Sequence, residues 1–284
     1  MATRAAAVAG TWYPGTRGAL MQDVDRYLAS VPEWSGGDVR AVVAPHAGLM
    51  FSGPVGASAY KAAAKGRFDV AVLVGPSHFV GFDGVALYPD GAFATPLGDA
   101  IIDERGASSI ARASIVHVMP SAHAREHSLE MQLPFLRRLL PDLPIVPLLM
   151  GYQSRDTILS LADALAAAFT DREPLLVAST DLSHYFDAAS AEMLDRRVQE
   201  YIATFDAEGL LDHFETYPED ERGRYVACGG GPMIAVMMAA RALGARDSTV
   251  LRYSHSGEVS GDPTGVVGYV AAAFGRLEAG EPRG

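Results

Sequence analysis

The chain reads as a single-domain α/β protein with a central, mostly parallel β-sheet flanked by helices on both faces. Three observations lead there. Short apolar runs recur along the sequence, and they are continuous rather than alternating, as in strands covered on both faces. Longer stretches with helical periodicity lie between them. Glycine, proline or serine follows most runs, where the chain must turn.

Taken in order, the first run is 40–44 (RAVVA), followed by a helical pattern over 55–64. The second run, 70–74 (VAVLV), is followed after a long interval by a helix over 128–140. That helix sets Leu129, Leu133, Leu136 and Leu140 on one stripe and stops at Pro141. Then come a strand at 145–150 (IVPLLM), a helix at 157–169, a strand at 175–179 (LLVAS) and helices at 188–204 and 232–243. Residues 249–253 (TVLRY) alternate more and belong nearer a sheet edge, and 266–272 (VVGYVAA) is the last buried strand. The polar tail EAGEPRG is expected to fray.

A chain of 284 residues with 49% hydrophobic and 20% charged residues can bury a sizeable core and is not disordered. Its formal net charge of −11 argues against nucleic acid and anionic membrane as partners, since both are polyanions. The lone cysteine, Cys228, excludes an intramolecular disulfide and suits a reducing cytosol. The start, MATRAAAVAGTWYPG, is too weakly apolar for a signal peptide, and no apolar run approaches the roughly 20 residues of a membrane span. A cytoplasmic protein is the expectation.

In parallel sheets, ligands bind beyond the carboxyl ends of the strands. His46 follows RAVVA, His78 follows VAVLV, and Asp181 and His184 follow LLVAS. Cys228 ends a short apolar run and precedes three glycines, Pro232 and a helix. Each alone reads as a loop residue or a small buried hydrophobe. Together, three histidines at equivalent strand ends point to a shared site. His117, His213 and His255 carry no such second marker.

Two imidazoles and one anion make a three-point metal site with positions left open. His46 and His78 supply the imidazoles and Cys228 the anion, held as thiolate by the metal. Such a set suits Fe(II), Cu(I) or Zn(II) and poorly suits Mg or Ca. His184 is the candidate acid/base, and Asp181 would orient it or hold a water.

The stretch His123–Glu130, HAREHSLE, fits the H-x-x-E-H spacing of some zinc proteases. That reading needs both histidines inside one helix, yet Pro120 and Ser121 set His123 at or before the helix start. Arg125 and Glu126 are expected to form a solvated first turn, and His123 to be dispensable at the site. Zinc hydrolysis therefore ranks below a redox enzyme and below a metal- or peptide-binding protein with a retired site.

Several motifs, in order and form, resemble the Memo family, also called AmmeMemoRadiSam system protein B. They are AGTWYP, APHAGLMFSGPVGASAY, VGPSHF, EHSLEMQLPFL, STDLSHY, CGGGP and YSHSGEVSGD with GVVGYVA. The resemblance runs from about residue 6 to residue 274 and implies one domain over 1–284. That family is similar in fold and site position to the class III, non-haem-iron extradiol dioxygenases. By resemblance, His46 and His78 match the two metal-binding histidines, and Cys228 takes the place of a glutamate ligand. His184 matches the catalytic base, and His127 lies where a further pocket histidine is expected, with Glu126 and Glu130 beside it. The resemblance implies bound iron or copper, redox chemistry on a small molecule, and a functional link to a radical-SAM protein and an AMMECR-type protein. The cysteine keeps a charge of −1 at the metal but is softer than a carboxylate and can itself be oxidised.

Overall fold

All five continuous apolar runs form strands in the computed structural model, which describes residues 3–277. The tail EAGEPRG lies outside the described residues. Nine strands, β1 (Gly37–Ala44), β2 (Val70–Pro76), β3 (Val85–Leu87), β4 (Val116–Val118), β5 (Ile145–Met150), β6 (Pro174–Ser179), β7 (His184–Phe186), β8 (Asp247–His255) and β9 (Val266–Leu277), make one sheet. Its order is β7-β9-β1-β6-β2-β5-β3-β4, with β8 also paired to β9.

The middle four strands, β1, β6, β2 and β5, run parallel to one another. Nearly all their residues are buried, which is why their sequences are apolar without a break. Pairing turns antiparallel on either side: β9 with β1, β7 and β8, and β3 with β5. At the far edge β4 is parallel to β3. The more alternating run at 249–253 lies in β8, outermost beside β9, in keeping with the edge expected for it.

Helices of seven residues or more are α1 (Arg17–Ala29), α2 (Leu49–Ala63), α3 (Glu104–Ile110), α4 (Leu133–Leu139), α5 (Arg155–Ala168), α6 (Ala188–Ala203), α7 (Ala207–Glu215) and α8 (Gly230–Ala242). They cover both faces. α1, α2 and α4 pack together on one, while α8, α5 and α7 form the layer on the other, and both α2 and α8 touch β1 and β9. Side-chain caps fix four starts: Asp103 accepts from the amide of Gly106 at α3, Ser154 from that of Thr157 at α5, Asp187 from that of Ser190 at α6 and Asp206 from that of Gly209 at α7. One hydrophobic core runs through the sheet and both layers.

Two helices differ from the sequence reading. The helix expected from residue 55 begins at Leu49 and runs through Pro54; at its start the Leu49 amide donates to the Trp12 carbonyl, and those of Phe51 and Ser52 to that of Gly48. The helix expected from residue 128 is delayed. The Glu126 carboxylate takes the amides of His127 and Ser128, so a 3₁₀ turn forms at Glu130–Gln132 and α4 starts only at Leu133.

Because β1, β6 and β2 are neighbours, the residues that follow them emerge side by side at one end of the sheet. No helix among the described residues is long and apolar enough to cross a membrane.

Candidate metal centre

His46, His78 and Cys228 converge there, with their ligand-type atoms all within 4.8 Å of one another. His46 is buried, and its Nε2 lies 3.2 Å from the Cys228 Sγ. Its main-chain amide donates to Asp181 Oδ1 at 2.8 Å, and its Nδ1 lies 2.9 Å from the Ser179 hydroxyl. Burial, and then the neighbouring imidazoles of His78, His127 and His184, hold His46 well below the usual histidine range. Its ring is therefore neutral.

His78 is the exposed member and is held differently. Glu126 accepts from its amide at 2.6 Å and from its Nδ1 at 2.9 Å. The same carboxylate takes the amides of His127 and Ser128, both at 2.9 Å. Burial opposes charge on His78, but hydrogen bonds to Cys228 and Glu126 outweigh it and raise the imidazole to about 10. Burial likewise opposes ionisation of Glu126, and the His78 hydrogen bond outweighs it to hold the carboxyl at about 2. A carboxylate on the far nitrogen orients a ligand histidine and makes it a stronger donor. His78, Glu126 and His127 also lie close enough to form a second cluster. The oxygens of Glu126 are already taken up by four N–H groups, so that cluster is a support for His78.

Cys228 is set by the segment before α8. Its amide donates to the Asp181 carbonyl at 3.2 Å, and the Asp181 amide donates to its sulfur at 3.4 Å. The Gln153 side chain donates to the Cys228 carbonyl and accepts from the Gly231 amide, each at 2.7 Å. The glycine after Cys228 has a steric cause: a Cβ on Gly229 would stand 2.4 Å from the Ser179 carbonyl oxygen.

Asp181 turns Oδ1 to the amides of His46 and Ala47, and its Oδ2 lies 4.0 Å from His46 Nε2. Burial raises its carboxyl to about 7. His184 donates from Nδ1 to the Leu182 carbonyl at 2.7 Å, and burial lowers its basicity against hydrogen bonds to the Leu182 and Gly223 backbone. The next residue, Tyr185, is exposed and sits at φ 64°, in a bulge of β7 against β9. His127 stacks on His78 at 4.6 Å and meets the Trp12 ring at 4.2 Å and that of Phe79 at 5.9 Å. Burial lowers His127 to about 4.

The HAREHSLE stretch is not a metal-binding helix. A short helix, Pro120–His123, ends at His123, so the two histidines do not share a helical face. His123 belongs to neither ligand cluster; it is buried, with Nε2 3.1 Å from the Ala86 carbonyl. Glu126 is not a solvated first-turn residue: it is buried because it holds His78. Glu130 turns from the pocket to the N-terminal segment, accepting from Arg4, the amides of Ala7 and Val8, and the Tyr13 hydroxyl.

Residues that sequence reasoning missed are Ser179, Gln132, Gln153, Trp12 and Asp195. Asp195, on α6, accepts from the Ser183 amide at 2.9 Å and from the Tyr253 hydroxyl at 2.8 Å, holding the loop that carries His184. Trp12 had one available signal, its place in AGTWYP.

A family model described as Memo-like protein matches residues 4–273. A MEMO1 family protein of Methanopyrus kandleri is 37% identical, over 96% of this chain and 99% of its own. Those of Methanothermobacter thermautotrophicus and Nitrosopumilus maritimus are 38% and 33% identical, covering 81% and 94% of this chain and 83% and 98% of their own. Among solved structures, an uncharacterized protein of Escherichia coli K12 aligns over 74% of this chain and 87% of that one. Its TM-score of 0.41 and identity of 15% are too low to argue from.

Proposed function

The chain belongs to the Memo family, and from that premise we propose that His46, His78 and Cys228 bind one redox-active metal ion. Fe(II) is the first choice, with Cu or Zn as alternatives, and the reaction is oxidoreductase or oxygenase-type chemistry on a small molecule. The observation that carries this reading is the convergence of the three ligand-type atoms within 4.8 Å, from segments far apart in the sequence. Bound there, the ion would supply Lewis-acid and redox chemistry, for which two nitrogens and a thiolate suit Fe(II), Cu(I) or Zn(II).

The chain's own groups divide the remaining work. His184, held at Nδ1 by the Leu182 carbonyl, is the group to exchange a proton with a bound small molecule. Asp181, with a carboxyl near 7, can hold a proton or anchor a water beside His46. His127 stacks on His78, and the Trp12 and Phe79 rings pack against His127, a setting for an apolar part of a bound small molecule. A second reading, a metal-binding protein without turnover, is favoured by Cys228 itself, because a thiolate at an oxygen-activating ion is open to oxidation.

Protein purified without oxygen and loaded with Fe(II), then given catechols and air, separates the two. Ring-opened product, slowed about 100-fold or more in His184→Ala, supports the enzyme. No product from any catechol would favour the second reading.

A further inference from the structure

We infer that Ser179 and Gln132 are positioning residues that fix the tautomer of His46, keeping its proton on Nδ1 and Nε2 bare for a metal. The inference rests on the metal-site reading above for its purpose, though not for its geometry. Three polar atoms surround the Ser179 hydroxyl. It lies 2.7 Å from the Ser128 carbonyl, 2.7 Å from Gln132 Nε2 and 2.9 Å from His46 Nδ1.

A hydroxyl has one proton and two lone pairs. The Ser128 carbonyl can only accept, so it takes the hydroxyl proton. Gln132 Nε2 can only donate, so it fills one lone pair. The amide cannot be turned the other way, because its nitrogen also faces the Pro45 carbonyl at 3.2 Å while its oxygen accepts from the Tyr60 hydroxyl at 2.8 Å. One lone pair on Ser179 is left, and only a protonated His46 Nδ1 can satisfy it. The proton on Nδ1 leaves Nε2 of the neutral ring as the lone-pair nitrogen, and that is the atom facing Cys228 Sγ.

Ser179, Gln132, Tyr60 and His46 are all buried, so no bulk water competes for these bonds. Their hydrogen bonds run to each other, to His46, to the Ser128 and Pro45 carbonyls and to Tyr60. They act through His46.

The test reads the ring directly. Metal-free protein labelled with ¹⁵N at histidine is studied by NMR, with His46 assigned by its loss in His46→Gln. The wild type is expected to show His46 protonated on Nδ1, with Nε2 unprotonated. Ser179→Ala, a small deletion, is expected to shift the ring toward the Nε2-protonated form and to weaken Zn(II) binding by about 10–100-fold. Ser179→Thr, which restores the hydroxyl, should recover both. A wild-type ring protonated on Nε2 overturns the inference, and so does a Ser179→Ala variant with unchanged tautomer and unchanged Zn(II) affinity. A wild type with the Nδ1-protonated ring that binds no metal supports the tautomer assignment and sinks the metal reading instead.

Discussion

Two regions build the centre, and they are made differently. The strand-end rim carries His184 and also His46, His78, Asp181 and Cys228, the last four of which present side-chain atoms to a shared space. The segment from His123 to Glu130 presents chiefly the His127 ring. Its Glu126 holds His78, its Ser128 carbonyl receives Ser179, its Glu130 ties down the N-terminal segment bearing Trp12, and its His123 hydrogen-bonds across to Ala86. The rim even holds a residue at a strained backbone angle, Tyr185. The difference teaches that a stretch resembling a metal motif can be scaffold, holding its neighbours through many internal bonds, while the candidate ligand atoms sit where the strands run out.

Substitutions should therefore separate stability from chemistry. The largest stability loss is expected at Glu130. Its ion pair with Arg4 is buried on both sides, and Glu130→Ala would leave a guanidinium buried without its partner. A loss of about 3–5 kcal/mol is expected by urea denaturation; a change below about 1 kcal/mol would erase the contrast between the regions.

Next is the acid response of His123. Burial lowers its imidazole to about 4, with Ala86 partly offsetting. A base whose folded value is depressed contributes stability that is present above its unfolded value of about 6.5 and is lost as pH falls through about 4. His123→Gln, which keeps a donor for Ala86, is expected to flatten that acid limb by up to about 3 kcal/mol. An unchanged stability profile between these values would show that His123 is not the titrating scaffold group.

The smallest effect belongs to the rim. Tyr185→Gly relieves a left-handed backbone angle at an exposed side chain. Stability should hold or rise by up to about 1 kcal/mol. A loss greater than that would mean Tyr185 is packed into the scaffold.

The legible part of the molecule was what depends on local pattern. Continuous apolar runs mark buried strands, so β1, β2, β5, β6 and β9 were visible, and with them the residues that follow their ends. Three-residue strands such as β3 are too short to show a period. The supports were hidden for a different reason: Glu126 is 48 residues from His78, Ser179 is 133 from His46, and Gln132 is 47 from Ser179. A glutamate or glutamine in isolation looks like surface, and only the fold reveals what it holds. The delayed start of α4 has the same origin, since a side chain reclaiming nearby amides leaves the apolar stripe intact.

The central claim is that the ligands are at residues 46, 78 and 228 and that HAREHSLE supports them. Elemental analysis of wild type, Cys228→Ala and His123→Ala, all purified without oxygen, tests it most directly. Wild type and His123→Ala should each carry about one Fe or Cu per chain, and Cys228→Ala close to none. Full metal in Cys228→Ala, or metal lost from a folded His123→Ala, would contradict it.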